Sequence, residues 1–192
     1  MRELVFATNN KHKLQEVRDM LDGIVVVKSL ADCGLEGDIP ETADTLQGNA
    51  LQKAQWVWDR CKTDCFADDT GLEVSALNGA PGVYSARYAG EHCSFDDNIN
   101  KLLAALEGED NRKARFRTVV CLIEGGSPRY FEGPVNGKIL TERRGAEGFG
   151  YDPVFQPERF ALTFAEMPEE VKNTISHRGV AIAKLVEYLK NR

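Results

Sequence analysis

The sequence predicts an α/β fold built around a mixed β-sheet. Short apolar or β-branched runs alternate with stretches of helical periodicity, which is the pattern of strands covered by helices. Two longer strand-like segments follow one another in the second half, as the arms of a hairpin do. With 192 residues, 42% apolar and 28% charged, the chain is long enough to bury a core without disulfide or metal staples, as one domain or one domain of two lobes.

The elements follow in order. Glu3 to Ala7 reads as a strand, and Thr8-Asn9-Asn10 as a polar turn. Leu14, Val17 and Leu21 recur at helical spacing, giving a first helix to about Asp22. Ile24-Val25-Val26-Val27 reads as a buried strand because of its β-branched run. Residues 29 to 44 are loop-like. A second helix is expected from about Thr45 to Cys61, with Leu46, Ala50, Ala54, Val57 and Cys61 on one face. Cys65-Phe66-Ala67 reads as a brief strand that ends in a turn at Asp68-Asp69-Thr70-Gly71, and Leu72 to Val74 begins another. Asn78 to Gly82 is dense in turn formers. Ser94 and Asp97 have capping-box spacing and open a helix with Ile99, Leu102, Leu103 and Leu106 inside. Arg115 to Ile123 and Arg129 to Leu140 are strands, the second broken near Gly133-Pro134 and Gly137. Ile182, Leu185, Val186 and Leu189 mark a last helix.

Composition excludes several classes. Lys plus Arg number 24 and Asp plus Glu 30, a net charge of −6, which argues against gripping a nucleic-acid polymer through a broad basic face. It leaves room for a small polyanion held by a local cluster of cations. No stretch reaches the roughly 18–20 apolar residues of a membrane span, and the first residues turn polar too soon for a signal peptide. Five cysteines, an odd number without a Cys-x-x-Cys pair, read as reduced thiols of a cytoplasmic protein.

Polar residues cluster at element ends, where sites are usually built. Thr8 to Lys13, including Lys11, His12 and Lys13, is either a capped helix start with solvated lysines or an anion trap of helix N–H groups and lysines. Glu41, Asp68 and Asp69 offer hard oxygens of the kind that suit Mg²⁺, although Asp68-Asp69 reads equally well as a capped turn. Lys53 is a solvated helix lysine or a phosphate contact. Gly148-Phe149-Gly150-Tyr151-Asp152-Pro153 is a core-packed aromatic turn or a loop that stacks on a base. Lys172 and Ser176-His177-Arg178-Gly179 supply polar donors, with a structural His as the alternative. Taken together, these signals suit hydrolysis of a nucleoside triphosphate.

Their order and spacing also resemble the inosine triphosphate pyrophosphatase family over essentially the whole chain. The resemblance is carried by Thr8-x-Asn10-x-x-Lys13-x-x-Glu16, Glu41-Thr42, Asn49-Ala50-x-x-Lys53-Ala54, Ala67-Asp68-Asp69-Thr70-Gly71-Leu72, Pro81-Gly82-Val83-Tyr84-Ser85-Ala86-Arg87-Tyr88, Gly148 to Pro153 and Ser176 to Gly179. Asn9 stands where Gly is common in the family, and Thr70 where Ser is common.

The resemblance implies an elongated two-lobed fold over residues 1–192, with the active site in the cleft between lobes, a homodimer and Mg²⁺ dependence. It implies hydrolysis of ITP, dITP and XTP between the α and β phosphates, giving the nucleoside monophosphate and pyrophosphate and so cleansing the nucleotide pool. Carried over by motif, Thr8, Asn9, Asn10, Lys11, His12, Lys13 and Lys53 face the triphosphate. Glu41 and Asp69 serve the metal, with Asp68 a further candidate, and Asp69 is the proton acceptor by family motif, while the residues by themselves leave Asp68, Asp69 and Glu41 all open for that role. Phe149, Gly150, Tyr151, Asp152, Lys172, His177 and Arg178 bind the nucleoside, and Thr70 contacts substrate beside the acid. The Pro81 to Tyr88 segment supports the dimer. Two other readings share parts of this chemistry: a Maf-like pyrophosphatase acting on modified or pyrimidine nucleotides, and a non-catalytic nucleotide sensor.

Overall fold

A computed structural model describes residues 1–192. Seven strands form one mixed sheet in the order β2-β1-β3-β5-β6-β7, with β4 pairing the free end of β3. β1 (Glu3–Phe6) lies between β2 (Val26–Lys28) and β3 (Cys65–Val74), parallel to both. β4 (Pro81–Gly82) runs antiparallel to β3, and β7 (Phe155–Pro157) antiparallel to β6 (Ser127–Ile139). β5 (Lys113–Glu124) joins β6 through Gly125-Gly126, both at positive φ, which is the backbone a two-residue hairpin turn requires. Five α-helices complete the chain: α1 (Lys11–Leu21), α2 (Leu46–Cys61), α3 (Phe95–Ala105), α4 (Glu169–Ile175) and α5 (His177–Lys190). None is long and apolar enough to cross a membrane.

The helix starts are set locally. Asn10 caps α1 by accepting from the Lys13 N–H, and Thr45 caps α2 by accepting from the Gly48 N–H. Ser94 and Asp97 form the reciprocal capping box expected at α3.

Two short strands were not expected, β4 inside the turn predicted over Asn78 to Gly82 and β7 after it, and three expected strands differ from the reading of the sequence, each for a physical reason. β2 starts two residues late. The N–H groups of Ile24 and Val25 both donate to the Leu21 carbonyl, so the end of α1 consumes them before the sheet can. β3 is one continuous ten-residue strand and not two pieces split by a turn. Asp68 and Asp69 sit inside it, buried, because partners on other elements satisfy their carboxylates. β6 is likewise unbroken over thirteen residues. Gly137 does not interrupt it: a Cβ there would lie 2.4 Å from the Gln156 carbonyl oxygen and 2.6 Å from the Phe155 ring, so the glycine lets β7 approach.

The chain divides into two compact units. The first comprises residues 1–69, 118–133 and 178–192, and the second residues 70–117 and 134–177. Unit one has its own core of Leu4, Phe6, Val17, Leu21, Phe66, Val120, Leu122, Ile182 and Leu185, in which the Phe6 and Phe66 rings stack 4.6 Å apart. Unit two has another, built on Leu72, Val74, Ile99, Leu102, Phe116, Phe155 and Phe164. Both are made from the alternating positions of strands and the inward stripes of helices.

Candidate functional site

Two groups of polar residues stand out, one in each unit. The first lies at the middle of β3, where Asp68 is 1% and Asp69 8% exposed. Successive strand residues point to opposite faces, so the neighbours acquire different partners. Asp68 accepts from Lys13 Nζ and from Arg178 Nε, each at 3.1 Å, one on each oxygen. Arg178 is itself buried and donates through a second nitrogen to Glu16 at 2.7 Å. Lys13 and Glu16 are one turn apart on α1, which explains why both reach this point. Asp69 accepts from Asn49 Nδ2 at 3.1 Å and lies 3.9 Å from Lys53 Nζ. The same ammonium is 2.6 Å from Glu41.

Asn49 and Lys53 are four residues apart on the inward stripe of α2, among Leu46, Ala50, Ala54 and Val57. A buried lysine in an apolar stripe requires charged partners, and Glu41 and Asp69 are those partners. Cys61, expected on the same face, is only half-buried.

The electrostatics separate the two aspartates. Burial alone raises the Asp68 carboxyl, but the charges of Lys13, Arg178 and Lys53 outweigh it and hold the group well below the usual carboxylate range. Burial also raises Asp69, and there Lys53 and Lys13 offset it only in part, while Glu41 adds to the rise. Burial lowers Lys13 despite Asp68. Burial acts the same way on Lys53, yet Glu41, Asp69 and Asp68 raise it overall. The result is one carboxylate locked into ion pairs beside one whose proton affinity is elevated.

The loop before α1 is arranged by its own hydrogen bonds. Thr8 Oγ1 accepts from the Asn10 N–H, and Asn9 Nδ2 donates to the Gly37 carbonyl. Lys11 and His12 are exposed in the first turn of α1. Thr70 follows Asp69 directly and is partly buried.

The second group is in unit two. Asp152 Oδ2 accepts from the Phe149 N–H at 3.0 Å and from Lys172 Nζ at 2.7 Å, with both side chains about 5% exposed. The Lys172 ammonium stands 4.9 Å from the Phe149 ring centroid, on which the Phe95 ring also packs at 6.2 Å. Gly148 and Gly150 are both at positive φ, and a Cβ on Gly148 would lie against the Asp152 carboxylate. Tyr151 is buried and donates to the Ser85 carbonyl at 2.7 Å. His177 stacks on Phe116, with centroids 4.4 Å apart and planes 17° from parallel.

Within unit one, then, Lys13, Glu41, Lys53, Asp68 and Asp69 come together, while Asn10 is engaged as the cap of α1 through the Lys13 N–H. Arg178, grouped with the nucleoside residues by motif, is bound there to Asp68 and Glu16. Phe149, Asp152 and Lys172 form a second set within unit two. Reading the sequence for chemistry missed Glu16, Asn49 and Phe95 as members of these sets. Glu16 and Asn49 did carry a signal: both stand in the motifs on which the family resemblance rests, and each is a polar residue one helical turn from a lysine on a buried face.

Known proteins resemble this chain along its whole length. The model of the Ham1 family matches residues 4–188. A dITP/XTP pyrophosphatase of Porphyromonas gingivalis is 57% identical over 190 residues, 98% of each chain. One of Flavobacterium johnsoniae is 54% identical over 187 residues, 97% of each. Among solved structures, a HAM1 protein from Coxiella burnetii superposes with a TM-score of 0.91 at 38% identity over all of both chains. The Staphylococcus aureus Ham1 protein gives 0.89 at 37% identity over 99% of each. With a family model spanning nearly every residue and relatives above half identity, the chain belongs to the Ham1 family.

Proposed function

We propose that this protein hydrolyses dITP, XTP and ITP between the α and β phosphates, releasing the nucleoside monophosphate and pyrophosphate. The observation that carries the reading is the contrast at the centre of β3. Asp68 has a cation on each oxygen, whereas one Asp69 oxygen is held by Asn49 and the other stands 3.9 Å from the Lys53 ammonium that Glu41 shares. A carboxylate of that kind is suited to accept a proton from water.

In this reading, water attacks the α-phosphorus and its proton passes to an Asp69 oxygen. The bond from the α-phosphorus to the oxygen bridging to the β-phosphorus breaks, and pyrophosphate leaves with that oxygen. Asn49 holds Asp69 through its second oxygen. Lys13 and Lys53 face the developing negative charge on the phosphates, and Thr8 to His12 supply N–H groups and side chains at the start of α1. Glu41 and Asp69 fit Mg²⁺ because both offer hard carboxylate oxygens and already share one cation, the Lys53 ammonium. Asp68 fits less well, since each of its oxygens is engaged by a protein cation. Bound Mg²⁺ would neutralise phosphate charge and so favour departure of pyrophosphate.

Phe149 to Asp152, Lys172, His177 and Arg178 are the proposed nucleoside contacts, with Thr70 contacting substrate beside Asp69. The Phe149 ring is a stacking surface fixed from its own backbone by Asp152. A buried donor facing the 6-keto oxygen of hypoxanthine or xanthine is left unpaired against the 6-amino group of adenine, which costs about 1–3 kcal/mol. Pinned by Glu16 and Asp68, Arg178 is a preorganised donor.

A homodimer belongs to the same proposal. It is supported by the exposed Tyr84 ring on the Pro81 to Tyr88 segment and is measurable by sedimentation. A cytoplasmic setting is supported by five unpaired cysteines, and the net charge of −6 fits a nucleotide rather than a nucleic-acid polymer as partner. The test is a product assay with dITP, XTP, ITP, dGTP and dATP in Mg²⁺. Monophosphate and pyrophosphate from the first three are expected. A diphosphate with orthophosphate would overturn the mechanism.

A further inference from the structure

Glu41 presents a problem of precision. It sits in a stretch without regular structure between residues 34 and 45, yet the proposed metal role requires its carboxylate to keep a set distance from Asp69 on β3. The hydrogen bonds around it solve that problem. The Thr42 N–H donates to Gln52 Oε1 at 2.8 Å, and Gln52 Nε2 donates back to Thr42 Oγ1 at 2.9 Å. The Ala43 N–H donates to Asn49 Oδ1 at 2.9 Å. The other end of the same Asn49 amide donates to Asp69 at 3.1 Å. Gly48 lets the loop lie close, since a Cβ there would be 2.7 Å from the Ala43 Cβ. Asn49 and Gln52 lie one turn apart on α2, so a single rigid helix holds the two residues after Glu41 and one oxygen of Asp69 together.

We infer that Asn49 and Gln52 are positioning residues that brace the Glu41 loop against α2 and Asp69, and so set the separation of two carboxylates that take a divalent cation. The inference rests on the reading of Glu41 and Asp69 as metal ligands. Neither Asn49 nor Gln52 need touch the metal. Partners that orient metal ligands from behind commonly change affinity by about 10–100-fold when removed.

The experiment compares the wild type with Gln52→Leu, Gln52→Glu, Asn49→Ala and Glu41→Gln. Mn²⁺ binding to the protein alone is read from the free-ion EPR signal. Half-saturating Mg²⁺ and KM for dITP are read from turnover, and stability from the urea midpoint. For Gln52→Leu we expect Mn²⁺ affinity to fall about tenfold and half-saturating Mg²⁺ to rise in parallel. KM for dITP at saturating Mg²⁺ and the urea midpoint should stay near wild type, because Thr42 is exposed and Gln52 only partly buried. Gln52→Glu should restore binding, since a carboxylate accepts from both the Thr42 N–H and its hydroxyl. Asn49→Ala should weaken Mn²⁺ in the same direction, and because Asn49 is buried, the Gln52 variants decide if that protein does not fold. If Glu41→Gln loses Mn²⁺ while Gln52→Leu binds like wild type, the brace is wrong and the metal reading stands. If Glu41→Gln binds Mn²⁺ like wild type, the metal reading itself fails.

Discussion

Replacing each of the two adjacent aspartates by asparagine should have unequal consequences for stability. Asp68 is 1% exposed and pairs with Lys13 and Arg178 at 3.1 Å each. Removing one partner of a buried ion pair costs about 3–5 kcal/mol, chiefly because a buried charge is left behind. Arg178 keeps Glu16, and the Lys13 side chain is 15% exposed and can reach water, so the cost belongs at the lower end, about 3 kcal/mol. At about 2–4 °C per kcal/mol for a chain of this size, the melting temperature should fall by about 6–12 °C. Asp69 is different. Burial raises its carboxyl, so the charged form is held at a cost that an amide removes. The buried Lys53 ammonium loses Asp69 at 3.9 Å but keeps Glu41 at 2.6 Å, so Asp69→Asn should keep or raise the urea midpoint while turnover is lost.

The pH dependence follows with opposite signs. The folded value of Asp68 lies below that of an unfolded aspartate, about 3.9. Its stabilisation is full above that value and is lost as pH falls through the folded value. The folded value of Asp69 lies above the unfolded one, so its penalty is absent below about 3.9 and grows as pH rises through the raised value. Urea titrations of wild type and both variants in EDTA, at pH 7 and at steps down to pH 3, follow the onset of the Asp68 loss below about 3.9 and the growth of the Asp69 penalty above it. A loss below about 1 kcal/mol in Asp68→Asn, the scale of an exposed pair, would refute the account of that site. So would equal losses in the two variants.

Two further outcomes are expected. Lys172→Met should destabilise by about 3 kcal/mol by stranding the buried Asp152 carboxylate, and adding Asp152→Asn should recover most of that in a double-mutant cycle. Simple additivity would show that the pair is not coupled. Cys65 and Cys121 are fully buried, and burial pushes both thiols up to about 12. Both should resist iodoacetamide at pH 8 until denaturant is added, as read by peptide mass spectrometry, and native-state labelling at the unfolded rate would contradict their placement.

Four of the five helices were legible because their signals are local, whereas α4, seven residues long and without a side-chain cap, was not. Asn10, Thr45 and Ser94 cap the helices that the apolar spacing announces, and Asp97 completes the box. The strands were less legible wherever a polar or flexible residue owes its place to a distant partner. Asp68-Asp69 reads as a turn when viewed alone, because two carboxylates in a buried strand are unfavourable without cations. Gly137 reads as a break because nothing nearby in the chain reveals that β7 packs on it. Ile24 and Val25 have strand composition, but the end of α1 takes their N–H groups first.

By themselves, the residues determine a mixed α/β architecture and, through an ordered set of motifs, the family. Capping geometry, side-chain periodicity and motif spacing are all properties of short stretches of chain. What each acid does was decided by the tertiary structure alone. Asp68 meets Lys13 across 55 positions and Arg178 across 110, and Arg178 meets Glu16 across 162. Two identical side chains, adjacent in sequence, thereby become a locked carboxylate and one with raised proton affinity. The physical reason is that a strand sends neighbours to opposite faces, where different elements meet them.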